Sequence, residues 1–391
     1  MKIKLKTKKF LYLLLVLTPA FAAADTFDDI AGAVAARNPM LRAEAAAVGA
    51  DASSRIAANR LEAAEVGFNY KWPSHNAAGT KLGFEVSQPF DWPAVYGARR
   101  RAAARAAAAA DLRLQAVGNQ VDKQIRTTLC DIVDANKRIA LLQFIVSNLD
   151  TLHSRMHIML DQGQTTELDH RKLAIEEVAM KQQLADAQTA RTAALAALSA
   201  LNGDELPAGA DTLSQYPPAT LMPFETYAAM RAPAVEAAAI DADVRRLDAR
   251  TEKMGLLPGF SLGYALDYEA GELFQGFSVG LRLPQYSAKP AAEAARLEAE
   301  SLALQAEAAE AERRSSLTAT YREAEMVKKL LADYDFAFGH DYPQLLARAL
   351  NGGQISYADF FSELNFYLSA RLEYLAQQQR YHRLLQTLAH P

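Results

Sequence analysis

The chain has 391 residues, of which 50% are hydrophobic and 23% charged, and its 42 basic side chains are outnumbered by 46 acidic ones. The formal net charge of −4 argues against nucleic acid as a partner, because the phosphate backbone attracts basic proteins. The single cysteine, Cys130, cannot form an internal disulfide, so packing or assembly has to hold the fold together.

Residues 1–24 have the three parts of a secretory signal. Five lysines among the first nine residues precede the apolar run FLYLLLVL, and small residues follow in TPAFAAAD. The run is shorter than the about 20 residues that span a membrane, so we predict a cleaved export signal of a bacterial protein. Its removal would take the net charge from −4 to −9. No later segment predicts a transmembrane helix.

Four short motifs of the first half recur in the second half, in the same order. They are RNPMLRAEAAA at Arg37 and RAPAVEAAA at Arg231, VGFNY at Val66 and PGFSL at Pro258, GFEVSQPF at Gly83 and GFSVGLRLP at Gly276, and GQTTELD at Gly163 and GQISYAD at Gly353. Their offsets stay between 190 and 194 residues, which makes chance an unconvincing explanation. We therefore predict two tandem repeats, 25–201 and 224–391, joined by a linker at 202–223 that is rich in proline and glycine.

Each repeat contains two segments in which apolar and polar residues alternate with the period of a β-strand, at about 66–72 and 81–90 and at about 259–268 and 276–283. Polar loops join each pair and predict two hairpins. Bulky apolar residues on one face and small or charged residues on the other are typical of an outer-membrane barrel. The positions predicted to face lipid are Phe68, Tyr70, Trp72, Leu82, Phe84, Val86, Phe260, Leu262, Tyr264, Phe277, Val279 and Leu281. The alternative is a soluble sheet packed on helices.

Four strands are too few to close a membrane barrel, since the smallest ones use about eight and an open edge does not lie in lipid. If the hairpins lie in a membrane, several copies of the chain have to combine their strands. Three copies would give twelve. A membrane location therefore implies an oligomer, although the strand count does not fix the number of copies.

The rest of each repeat predicts long helices, so the fold class is mainly α with a small β part, in the order helix, strand, strand, helix, helix. Residues 94–159 contain no proline and would form a helix of about 100 Å. The turn DQGQTT and a return helix to residue 200 follow. Single helices are predicted over 27–65 and 224–257. In the second repeat a long helix starts at Pro290, and Pro343 is expected to break it before the turn NGGQ.

These features together resemble the TolC-like outer-membrane efflux proteins. The family turn is a glycine, then small or hydroxyl residues, and an aspartate six positions after the glycine. Both repeats match it, with Gly163, Thr166 and Asp169 and with Gly353, Ser356 and Asp359. The resemblance implies a homotrimer in the bacterial outer membrane, with a 12-stranded β-barrel on a long α-helical tunnel through the periplasm. It implies the exit duct of a tripartite export system, which meets a periplasmic membrane-fusion adaptor that is linked to an inner-membrane pump.

The resemblance also assigns roles to individual residues. It implies adaptor-facing tips at Gly163, Thr166, Gly353 and Ser356. It places Asp359 and Asp169 at the periplasmic mouth, in an acidic ring and a gate. The alternative for both aspartates is a solvated charge at a helix N-terminus, which the helix dipole favours.

Three further features belong to this resemblance. Leu350 and Ile355 stand where the prototype of the family has Tyr and Arg, so the bonds that hold the mouth shut are expected to differ. Pro89, Pro93 and Pro284 would mark the joint between barrel and tunnel. The stretch SQPFDWP, followed by a basic and alanine-rich helix, is similar to the heavy-metal efflux branch, which would make metal ions or small toxic molecules the cargo.

The sequence contains no glycine-rich phosphate loop, no nucleophile elbow and no paired cysteine ligands, so neither an enzyme nor a cofactor is predicted. His153 and His157 have a helical spacing that could hold a metal, but their flanking residues offer no clear third ligand, and no metal site is predicted. The alternative function is a soluble periplasmic coiled-coil scaffold or adaptor without a membrane barrel.

Overall fold

The computed structural model describes residues 26–72, 80–218, 220–254, 257–269, 271–283, 288–334 and 342–390. The predicted export signal at 1–24 and the predicted joint residue Pro284 lie outside the described residues. Within the described part of the chain, no helix is both long enough and apolar enough to cross a membrane.

Both halves of the chain contain two helices, then two strands, then further helices. The first half contains α1 (Phe27–Arg37), α2 (Pro39–Ala58), β1 (Glu65–Lys71), β2 (Lys81–Phe90), α3 (Pro93–Asp161) and α4 (Glu167–Leu201). After a short 3₁₀ turn (Ala210–Thr212), the second half contains α5 (Phe224–Ala228), α6 (Pro233–Met254), β3 (Gly259–Glu269), β4 (Glu272–Arg282), α7 (Ala288–Asp333), α8 (Tyr342–Asn351) and α9 (Tyr357–Ala389). The fold is mainly helical with a small antiparallel sheet, as predicted.

Helix α3 is the longest described helix, with 69 residues and a length of about 100 Å. Pro93 begins it, at a position where the missing N–H has no helical partner to lose. Alanine recurs along its buried side at Ala98, Ala102 and Ala106, where a small side chain with high helix propensity lets neighbouring helices come close.

Two predicted helices are interrupted. The predicted helix 27–65 is divided at Asn38, and the predicted helix 224–257 is divided before Pro233. Proline lacks the N–H that a continuing helix needs, so the prolines of RNP and RAP end both runs at matching places. Asn38 caps α2 by accepting from the Leu41 N–H at 3.1 Å, and its Nδ2 donates to the carbonyl of Leu201 at 2.9 Å.

Helix α7 ends at Asp333 and α8 begins at Tyr342, and most of the segment in which the sequence predicts a break, 335–341, lies outside the described residues. The predicted hairpin of the second half needs a correction. Strand β4 begins at Glu272 rather than near 276, because Gly271 adopts a φ of +91° and permits a tight turn. Residues 272–275, which were predicted to belong to the loop, are therefore part of β4.

The described strands form one antiparallel sheet in the order β1, β2, β3, β4, so the two hairpins join through the pairing of β2 with β3. The helices that lead into and out of these strands follow the same order, since α2 packs on α3, α3 on α6, and α6 on α7. Helices α4 and α9 pack along the other half of α3.

Two large apolar clusters hold the helices together, beside a smaller third one around Tyr227. One lies near the turns and contains Leu149, Leu173 and Leu364, and the other lies where Ile30 of α1 meets Ile125 of α3. Cys130 belongs to the second cluster, and burial raises its pKa to about 12. Its thiol therefore stays protonated and acts as a small apolar group.

Candidate functional site: the apolar sheet face and the helical turns

The register of the sheet places the predicted apolar positions on one face. Phe68 lies opposite Phe84, and Val86 lies opposite Tyr264, which in turn lies opposite Phe277. Directly opposed residues of an antiparallel pair point to the same side. The same pairing joins Tyr70 with Leu82, Leu262 with Val279, and Phe260 with Leu281. Trp72 follows the strand and contacts the ring of Tyr70.

This apolar face is uncovered in the chain. Phe277 is 89% exposed, Val279 77%, Trp72 74% and Phe68 66%. A folded chain rarely leaves a continuous patch of large apolar side chains in water, and such a patch marks contact with a membrane or with another protein.

The opposite face of the sheet is polar and internally bonded. The ammonium of Lys81 lies 3.4 Å from carboxylate oxygens of both Asp267 and Glu269. The Ser278 hydroxyl donates to Oε1 of Glu85 at 2.7 Å. Space on this face is limited at Gly83, where a Cβ would collide with Asn69 and Asp267. The sheet therefore has one face suited to lipid and one suited to water.

The strand-to-helix joint lies between Pro89, which is in β2, and Pro93, which begins α3. Asp91 fixes this joint, because its carboxylate accepts from Arg99 at 2.8 Å and its N–H donates to the Tyr96 hydroxyl at 3.0 Å. Arg282 at the end of β4 lies 3.7 Å from the same carboxylate. One carboxylate thus ties the end of the sheet to the start of the long helix.

The two turns at the other end of the molecule share one backbone geometry. Gly163 and Gly353 both have a φ of +66°, a conformation that favours glycine. The N–H of Gly163 donates to Leu160 O at 2.9 Å, and the N–H of Gly353 donates to Leu350 O at 3.0 Å. Each glycine thereby ends a helix in the left-handed conformation common at helix C-termini.

The hydroxyl residue after each turn caps the returning helix. Thr166 Oγ1 accepts from the Asp169 N–H at 3.1 Å and donates to its carboxylate at 2.6 Å. Ser356 does the same with Asp359, at 3.1 and 2.7 Å. These bonds with Ser356 lower the pKa of Asp359 below its usual value. Both aspartates thus have the helix-terminal role that the sequence offers as an alternative to the mouth.

The second turn is exposed and is flanked by two partly buried apolar side chains. Leu350 and Ile355 pack against the cluster that contains Leu346 and Phe360.

Sequence reasoning missed Arg155. Its Nη1 donates to Asn351 Oδ1 at 3.1 Å and so joins the end of α3 to the end of α8. The two residues are 196 positions apart, and no local pattern marks the contact. This bond brings the two turns side by side, which the repeat structure alone does not predict.

No protein-family model matches the sequence, and no curated protein matches it. Solved structures of outer-membrane proteins match its fold over almost the whole chain. The open state of the Neisseria gonorrhoeae MtrE outer-membrane channel is 15% identical over 93% of this chain and 88% of its own, with a TM-score of 0.74. The Campylobacter jejuni CmeC outer-membrane channel is 14% identical over 96% and 89%, with a TM-score of 0.72.

The outer-membrane protein VceC of Vibrio cholerae is 15% identical over 93% of this chain and 95% of its own, with a TM-score of 0.68. At these identities the similarity demonstrates a shared fold. The chain has the fold of TolC-like outer-membrane channels, as the resemblance in the sequence implies.

Proposed function

We propose that the chain is the outer-membrane exit duct of a tripartite efflux or secretion system. Its sheet would lie in the outer membrane, and its helices would form a tunnel through the periplasm. The observation that carries the proposal is the continuous apolar face of the four strands, which is exposed in the chain and lies opposite a polar, internally bonded face. Lipid on one side and water on the other is the environment that such a sheet fits.

The order of the elements supports assembly into a ring. The sheet ends at β1 and β4, and the row of neighbouring helices ends on the same two sides at α2 and α7. A second copy can pair its β1 edge with the β4 edge of the first, and head-to-tail contacts of this kind form a ring when the rotation between copies closes. Pairing every edge removes the open strands that lipid does not tolerate. Three copies would give twelve strands, and we propose the homotrimer.

The duct would be passive, and its turns would be the contact with the rest of the export system. Gly163, Thr166, Gly353 and Ser356 would face a periplasmic membrane-fusion adaptor, which would link the duct to an inner-membrane pump. The bond between Arg155 and Asn351 supports a shared contact surface, because it holds the two turns together. Adaptor contact would favour an open arrangement of the helix pairs over the closed one.

The mouth of the tunnel would lie near the same turns. Asp359 and Asp169 would contribute negative charge there in addition to capping their helices. The cargo would follow from the pump, and the similarity of SQPFDWP to the heavy-metal branch favours metal ions or small toxic molecules.

Fractionation of cells that produce the full chain tests this proposal. The expected result is recovery in the outer membrane as a detergent-resistant trimer, and the purified trimer should conduct ions in planar bilayers. Asp359→Asn should weaken the preference of the channel for cations. Recovery as a soluble periplasmic monomer would overturn the duct and favour the coiled-coil scaffold.

A further inference from the structure

Three histidines meet at the hairpin that α3 and α4 form around Gly163. His153 and His157 lie four residues apart on α3, and His170 lies on α4. The centre of the His170 ring is 4.9 Å from that of His153 and 5.9 Å from that of His157, with the rings edge to face. The third ring that the sequence around His153 and His157 does not offer is therefore supplied by the returning helix.

The two separations that involve His170 are close to those of imidazoles that share a metal ion. A zinc–nitrogen bond measures about 2.0–2.1 Å, so two rings at a tetrahedral zinc have their centres about 5 Å apart. Residues four apart on a helix lie on one face, which is the arrangement of two histidines in known zinc-binding helices. His170 approaches both rings from the opposite helix and completes a set of three.

Two of the three histidines have a carboxylate beside one ring nitrogen. The Nδ1 of His153 is hydrogen-bonded to the carboxylate of Glu177, and the Nδ1 of His157 lies 3.6 Å from Oδ2 of Asp161. A carboxylate that is hydrogen-bonded to one nitrogen, as Glu177 is at His153, orients a histidine so that its other nitrogen can bind a metal, whereas the 3.6 Å contact of His157 is longer than a hydrogen bond. The Nε2 of His170 is buried and has no hydrogen-bond partner. An unpaired buried nitrogen is costly, and a ligand at this point would satisfy it.

Among the described residues, no group of three or more His, Cys, Asp or Glu side chains is arranged to hold a metal ion as it stands. The three rings would therefore have to turn about their side-chain bonds to bring their nitrogens to one point. Their backbone is already in place, since all three belong to continuous helices. His157 is free to turn, because its side chain is 68% exposed.

We propose that His153, His157 and His170 bind one zinc ion, which joins α3 to α4 near the turn, with Glu177 as the positioning residue of His153. Imidazole nitrogen suits zinc and other late divalent transition metals, whereas magnesium prefers oxygen ligands. The site is independent of the proposed duct, because it lies within one hairpin of one chain.

Zinc titration of the tag-free full chain in detergent, against a chromophoric chelator, tests the site. Wild type should bind one zinc per chain, and an excess of magnesium should not displace it. His157→Ala and His170→Asn should each weaken zinc binding at least tenfold. The exposed position of His157 makes its variant the one least able to disturb folding, and circular dichroism would verify that the helices are intact.

The matched control is His390→Ala. His390 pairs with Asp122 on α3, which precedes His153 by about 45 Å of helix, so its loss should leave zinc affinity unchanged. Glu177→Gln should weaken zinc binding by about 10–100-fold and leave one zinc per chain. Absence of zinc binding by wild type, or equal affinity in wild type, His157→Ala and His170→Asn, would overturn the site.

Discussion

The sheet and the turns stand at opposite ends of the molecule and are stabilised in different ways. At the sheet the large apolar side chains point outward, and Phe277 and Phe68 have no cover within the chain. At the turn end Leu149, Leu173 and Met156 are fully buried, although Ile175 and Val178 on the outer side of α4 are exposed. The turn end thus has a buried apolar core within one chain, whereas the apolar face of the sheet would be covered only by the lipid of the proposed duct.

This difference separates two kinds of substitution. A change in the buried cluster should act on the stability of the single chain. A change on the outer face of the sheet should act on membrane insertion and assembly and leave the isolated helices unaffected. The following variants test that division.

Leu149→Ala should have the largest effect on chain stability. Leu149 is fully buried in the cluster near the turns, and removal of such a side chain costs about 2–5 kcal/mol because a cavity remains. Urea unfolding in detergent, followed by helical circular dichroism, measures the cost. The control is Ile158→Ala in the same helix, where the side chain is 57% exposed and the loss should be small. Equal losses in both variants would refute the distinction between inner and outer positions.

Phe68→Arg should act on the sheet end instead. An arginine that faces the middle of the membrane costs about 2–4 kcal/mol per chain, so the trimer in the outer-membrane fraction should be strongly reduced. Asn69→Arg is the matched control, because Asn69 neighbours Phe68 in β1 and points to the polar face. Quantitative blotting of fractions compares the two. If Asn69→Arg were as harmful as Phe68→Arg, the assignment of the lipid face would be wrong.

Replacement of glycine by alanine should lower stability at the turns and raise it in the middle of α3. Gly163→Ala and Gly353→Ala should each destabilise the turn end by about 1–2 kcal/mol, since a side chain disfavours their positive φ although nothing blocks its space. Gly118→Ala, in the middle of α3 and with equal space, should stabilise by about 0.5–1 kcal/mol. Thermal unfolding distinguishes these outcomes, and a stabilised Gly353→Ala would contradict the conformational argument.

The sequence predicted the parts of the fold that depend on local pattern. The alternation of Phe68, Tyr70 and Trp72 was enough to assign an apolar face, and the glycine and hydroxyl residues at both turns were enough to place the ends of the helices. The strand order could not be predicted from the sequence, because the pairing of β2 with β3 joins segments far apart in the chain.

The errors have physical causes. The sequence analysis missed the helix breaks at Asn38 and before Pro233, although Pro39 and Pro233 each indicate one. The alanine-rich flanks suggested continuous helices. Arg155 and Asn351 meet only in the folded molecule. The position of His170 near His153 and His157 could have been predicted, because a hairpin that reverses at Gly163 brings the residues on either side of the turn opposite each other.

Removal of the capping hydroxyls should have the smallest effect on stability, and it compares the two turns directly. Ser356→Ala and Thr166→Ala should each cost about 1 kcal/mol. The loss should be greater for Ser356, whose N–H also donates to Asp359 at 3.3 Å and completes a capping box. Urea unfolding of both variants at neutral pH measures the difference.

The pH dependence of the stabilisation by Ser356 shows whether it depends on the charge of Asp359. The hydrogen bonds of Ser356 lower the pKa of Asp359, so the cap stabilises the fold while the carboxylate is charged, above the unfolded pKa of about 4. This contribution is lost as the pH falls through the lower pKa of the folded state. The stability difference between wild type and Ser356→Ala should therefore narrow in acid. A difference that stayed constant with pH would mean that the hydroxyl acts without the charge of Asp359.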